Sequence, residues 1–201
     1  MKVGMIFECG PHGPDQQVCE YLAQKLAPAI EISSVTLDNK PNLVSECGEA
    51  ATLLLNAGCD RVVIVWDLYP PWRERGERPC RKEDREAIFQ SLAQADVTSS
   101  CVYLVCIREE LEAWLLADER AISDVLSRPT HSVSLNRIRG TERVSNPKKR
   151  LNRIFKEHSG RRYNDMIHAR KIVKRLPDFN RIRRCSTFAR FALKVADIAL
   201  E

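Results

Sequence analysis

The chain has 201 residues, 44% hydrophobic and 29% charged, long enough for one compact domain, or one with a modest appendage, that buries roughly 70% of its unfolded surface. Its longest apolar runs, residues 62–66 and 101–107, are strand-sized, which excludes a membrane span of about 20 residues, and the first residues read into a strand without an export leader. The net charge of +5 is unevenly spread: residues 1–100 carry 10 basic and 15 acidic side chains, residues 101–201 carry 22 and 12, and the stretch 137–194 alone reaches +15.

Residues 2–7 read as a strand ended by Glu8 and the turn-rich Gly10-Pro11-His12-Gly13-Pro14, and from Asp15 the spacing of Val18, Leu22 and Leu26 predicts a helix. A second strand follows over 30–37, a turn over 38–41, and an Ala/Leu-rich helix over 43–57 closed by Gly58. Residues 61–66 are a β-branched run of the kind buried on both faces of a parallel sheet, and the run ends at Asp67. Beyond Tyr69, Pro70, Pro71 and Trp72 comes a charged loop or arm over 73–85, a helix over 82–95, a fourth strand over 101–107 and a helix over 109–118. This alternation predicts an α/β fold with an open, mostly parallel sheet flanked by helices. After about Pro129 the strand signal fades into a basic, mostly helical C-terminal extension with pieces near 147–158, 164–176 and 186–200. The expected division is therefore 1–128 and 129–201. Eight cysteines without a Cys-x-x-Cys pair, two of them (Cys101 and Cys106) inside an apolar strand, suit a reduced, cytoplasmic protein.

Ligands of open α/β sheets bind beyond the carboxyl ends of the strands. Three of the four predicted strands end on acids: Glu8, Asp67, and Glu109 with Glu112 three residues on. Each alone also suits a turn or helix-capping role, but acids gathered together repel unless a cation neutralises them, and all-oxygen ligation suits Mg²⁺ or Mn²⁺. Gly-x-Gly-x-x-Gly and Gly-Lys-Ser/Thr signatures are absent from the sequence. In the basic third, Lys148, Lys149, Arg150 and Arg153 gather near a predicted helix start, as a surface for nucleic-acid phosphates or as a solvated helical face. Trp114, on an apolar helix face, reads as core; Tyr69 and Trp72 read either as a substrate border or as the packing of a Pro-Pro turn.

The strand ending in Glu8 then Gly10, the strand ending in Asp67 and the parallel α/β order resemble the Toprim fold of topoisomerases, primases and overcoming-lysogenization-defect nucleases. More narrowly, Asp67-Leu68-Tyr69, the 109–118 segment with Glu112-Ala113-Trp114-Leu115-Leu116, Asn146-Pro147-Lys148-Lys149-Arg150-Leu151 and Arg184-Cys185-Ser186-Thr187-Phe188 resemble the DUF4276 family. The resemblance implies a metal site in which Glu8 takes the place of the first-loop Glu and Asp67 that of the leading Asp of an Asp-x-Asp pair. Tyr69 stands where the other Asp belongs, Glu109 or Glu112 replaces it, and Asp15 loosely stands in for a second loop acid. Two function classes follow: a Mg²⁺- or Mn²⁺-dependent nuclease working beside an ATPase in phage or mobile-element defence, or a non-catalytic module binding nucleic acid or a protein partner.

Overall fold

The computed structural model describes residues 1–70 and 79–199. Trp72, the first part of the charged 73–85 stretch and the last residue of the 186–200 helix lie outside the described residues. Four strands, β1 (Lys2–Phe7), β2 (Glu31–Thr36), β3 (Arg61–Asp67) and β4 (Val102–Ile107), form one sheet in the order β2-β1-β3-β4, and every neighbouring pair runs parallel. The helices are α1 (Pro14–Leu26), α2 (Lys40–Asn56), α3 (Arg81–Gln94), α4 (Glu112–Leu115), α5 (Glu119–Leu126), α6 (Pro147–Ser159), α7 (Asp165–Lys174) and α8 (Ser186–Ala196). No helix of the described residues is long and apolar enough to cross a membrane, and all eight cysteines are unpaired.

Alternate residues of the central strands feed two separate cores, as the two-residue period of a strand requires. Ile6, Val62, Ile64 and Trp66 pack beneath α2 and α3. Val3, Met5, Val63, Val65 and Val105 pack on the opposite face beneath α1 and α4 to α8. The C-terminal third contributes Leu151, Phe155, Ile172, Phe188 and Phe191 to that same cluster. The α2–α3 cover is close-set: a Cβ on Gly48 would lie 2.2 Å from the carbonyl oxygen of Ser91, while the Gly48 N–H donates to Ser91 Oγ at 3.0 Å. That approach requires a residue without a side chain.

Two expectations change. The helix expected from 43 begins at Lys40, because the Asn39 side chain accepts from the Asn42 N–H at 2.9 Å and Pro41 fits a first turn. The helix expected over 109–118 shrinks to α4, and a separate helix, α5, begins after it at Glu119. Glu109 has a left-handed φ of 68°, which keeps it out of the helix, and Asp118 is the N-cap of α5, its buried carboxylate accepting from Arg120 N at 3.1 Å.

Candidate functional site

Parallel pairing sets the strand ends side by side. Because Phe7 pairs with Val65, Glu8 emerges next to the end of β3, and its Oε1 accepts the Asp67 N–H at 3.0 Å. Asp67 pairs with Ile107, and its Oδ2 accepts the N–H of Leu111 at 3.1 Å, fixing the connection that leads into α4. Glu112, 4% exposed, opens that helix. Asp15 enters from the first turn of α1. Each acid therefore reaches one sheet edge on the backbone of a different element.

Glu8, Asp15, Asp67 and Glu112 come together electrostatically. Burial first, then Asp15, Glu8 and Glu112, hold the Asp67 carboxyl well above the usual carboxylate range. Burial pushes Glu8 up to about 8, against the pull of Lys40 and with Asp15 adding to it. Burial likewise raises Glu112 to about 7 and Asp15 to about 6, in both cases opposed by Lys148. Glu109 stands apart. Burial raises its pKa too, but its charged neighbours are Arg108 and Glu110. Of the two alternates at the fourth strand, Glu112 belongs to the gathering and Glu109 does not.

Two buried oxygens of this group, Glu8 Oε2 and Asp67 Oδ1, have no hydrogen-bond partner. Each of these carboxylates thus spends one oxygen on a backbone N–H and leaves the other open, an arrangement that suits a cation or water. The donors are all oxygen, matching a hard divalent ion. Among the described residues, however, no three such side chains are closed around one point as a ready-made ligand set.

Lysines border the acids on two sides. Lys148 ion-pairs with Asp165, and its backbone N–H donates to Glu110 Oε2 at 3.1 Å. Lys40, 4% exposed, donates to the carbonyls of Leu68 at 2.8 Å and Pro70 at 2.7 Å, and lies 4.0 Å from Asp84. It thereby fixes the chain leaving β3. The Tyr163 phenol is held protonated by burial and by the neighbouring charges of Glu112 and Asp165. Lys149, Arg150 and Arg153 point to solvent from α6, whose inward face carries Leu151, Ile154 and Phe155.

Sequence reasoning missed Lys40, Tyr163 and Asp165. Neither Lys40, which the sequence places in a turn over 38–41, nor Tyr163 carries a mark in the sequence.

A pH dependence follows. The carboxyls with pKa values of about 6 to 8 retain protons in the native state that the unfolded chain has released. The native state therefore binds more protons between about pH 5 and pH 8, and stability falls as pH rises through that window. Thermal melts in EDTA across it should show a declining Tm. A climbing Tm would contradict the raised values. Saturating Mn²⁺ should flatten the decline, since metal binding requires the deprotonated carboxylates.

Residues 15–196 match the family described as a domain of unknown function, DUF4276. No curated protein and no solved structure matches the chain.

Proposed function

The chain belongs to the DUF4276 family, and from that premise we propose that it is a metal-dependent phosphodiester-cleaving enzyme acting on nucleic acid. The observation that carries this reading is the convergence of Glu8, Asp15, Asp67 and Glu112 at one sheet edge, with two buried carboxylate oxygens left unpartnered. Glu8, Asp67 and Glu112 would hold Mg²⁺ or Mn²⁺, with Asp15 taking the place first considered for Glu109. Such an ion, when bound, neutralises a phosphate, acidifies an attacking water and steadies the leaving oxygen.

The protein's own groups divide the remaining work. Glu8, which burial holds at about 8 in the metal-free protein, would give up its proton on taking the ion, so binding is coupled to pH near neutrality. Tyr163 keeps its proton beside Glu112, while Lys148 adds a positive charge at the rim. The resemblance to Toprim nucleases of the overcoming-lysogenization-defect type extends the proposal to phage or mobile-element defence beside an ATPase in the cytoplasm. A second reading, a non-catalytic nucleic-acid or protein-binding module, is favoured by Tyr69, which replaces the second Asp of that pattern.

The test uses labelled single-stranded and duplex DNA and RNA with Mg²⁺ or Mn²⁺. Cleavage should occur with metal, stop in EDTA, and be lost in Glu8→Gln while binding persists. Changing Lys149 and Arg150 together to Ala should weaken binding to every sequence and flatten the slope of log K against log salt by about 1.4 on single strands, from about 0.7 per phosphate. Metal-independent binding with no cleavage of any substrate would leave the module reading in its place.

A further inference from the structure

A cavity of about 570 Å³ opens between the end of β4, the segment around Gly140 and the approach to α8. Six arginines line it: Arg108, Arg137, Arg139, Arg143, Arg181 and Arg184. They come from three stretches far apart in the chain, so the fold, and not a local charge run, assembles them. Little negative charge is available to them. Glu142 is the lining acid, and both its oxygens are occupied: Oε2 accepts from Ser186 N at 2.8 Å and Ser186 Oγ at 3.0 Å, and Oε1 from Thr187 N at 2.9 Å and Thr187 Oγ1 at 2.5 Å. Arg181 is paired with Glu119. Among the described residues, Arg108, Arg139, Arg143 and Arg184 are exposed and have no carboxylate at ion-pair distance.

Like charges around a concavity focus a positive potential inside it, and an anion there relieves their repulsion. Guanidinium groups match phosphate in particular, since their planar forks donate two parallel hydrogen bonds to it. The frame is prearranged. Glu142 staples the 141–143 turn to the start of α8, and Thr141, 4% exposed, meets Cys185 Sγ at 3.4 Å, so Arg143 and Arg184 flank a pinned junction. A binding cavity already built costs less ordering entropy on association.

Its position links it to the carboxylates. Arg108 is three residues before Leu111, whose N–H is held by Asp67, so the two backbones lie within about 10 Å of each other. A smaller cavity lined by Leu68, Arg108 and Ser186 continues from it to the end of β3. We propose that the arginine-lined cavity is a phosphate site that takes the sugar–phosphate backbone of the nucleic acid and leads it to the carboxylates, an inference that rests on the nucleic-acid reading above.

The test compares wild type with Arg139→Ala/Arg143→Ala in EDTA. Fluorescence anisotropy of a labelled single-stranded oligonucleotide is followed over several salt concentrations, and pyrophosphate is titrated separately as a bare phosphate probe. Both arginines are exposed and unpaired, so the melting curve should be unchanged. Oligonucleotide affinity should fall about 10-fold or more, the salt slope should flatten by about 1.4, and pyrophosphate should displace the oligonucleotide from wild type. Wild-type affinity and slope in the variant would overturn the proposal, as would binding of neither probe by the wild type. Pyrophosphate binding that depends on the arginines, with oligonucleotide binding that does not, would make the source a free phosphate compound and overturn the backbone assignment. Oligonucleotide binding that depends on Arg139 and Arg143 in a protein that cleaves nothing would uphold this site while removing the catalytic reading.

Discussion

Asp67→Asn should lower Mn²⁺ affinity and any metal-dependent cleavage by roughly 100-fold or more, and at the same time raise the melting temperature of the metal-free protein. The amide keeps an oxygen to accept the Leu111 N–H, so the connection into α4 is preserved. What it removes is an acid whose ionised form is disfavoured first by burial and then by Asp15, Glu8 and Glu112. Sites that hold like charges together are less stable than they need be, and neutralising one member relieves the strain at the expense of the chemistry. A gain of about 2–4 °C at pH 8 corresponds to about 1 kcal/mol in a domain of this size. Isothermal titration with Mn²⁺ and melts in EDTA measure the two effects separately. Unchanged metal affinity would remove Asp67 from the site, whatever happens to Tm.

Trp114→Ala should destabilise the protein by about 3–5 kcal/mol, the range for truncating a large aromatic in a packed core. The indole is fully buried, meets Phe188 edge-on at 5.4 Å and Phe191 at 5.5 Å, and donates from Nε1 to Thr187 Oγ1 at 2.8 Å. At about 2–4 °C per kcal/mol, Tm should fall by about 6–20 °C. Trp114→Phe should recover most of the loss but leave Thr187 without its donor, a deficit of about 1 kcal/mol. Were Trp114 instead a platform for stacked bases, the Ala variant would melt like wild type and bind nucleic acid more weakly.

The sheet was legible because its signal is local. The β-branched run at 62–65 and the apolar runs at 2–7 and 101–107 announce strands buried on both faces, and their observed limits differ by about a residue. The break at Glu109 was not legible, since residues 109–118 are good helix formers throughout and the left-handed turn sits beside a contact between Leu111 and Asp67, 44 positions away. The same holds for the site. Glu8 and Asp67 could be found because each ends a strand, and Asp15 was in view only as a loose match within the family resemblance. Tyr163 and Lys40 reach the acids through tertiary packing, which no spacing encodes. The arginine-lined cavity was visible only as part of a charge excess over 137–194, with nothing to say that Arg108 would join Arg184.

The place of α8 beside β4, an outer strand of the sheet, bears on how the chain avoids its own copies. Phe188, Phe191 and Val195 join the core on one face, while Ser186, Thr187 and Arg190 line a small cavity with Leu104 and Cys106 on the other. The helix thus stands guard over the segment Val102–Ile107, which is apolar, free of charge and free of proline. An unguarded strand of that composition is a template for adding further strands and a start for aggregation. A chain ending before Ser186 would present that edge to its neighbours, so the C-terminal helix is a solubility element as much as a packing one.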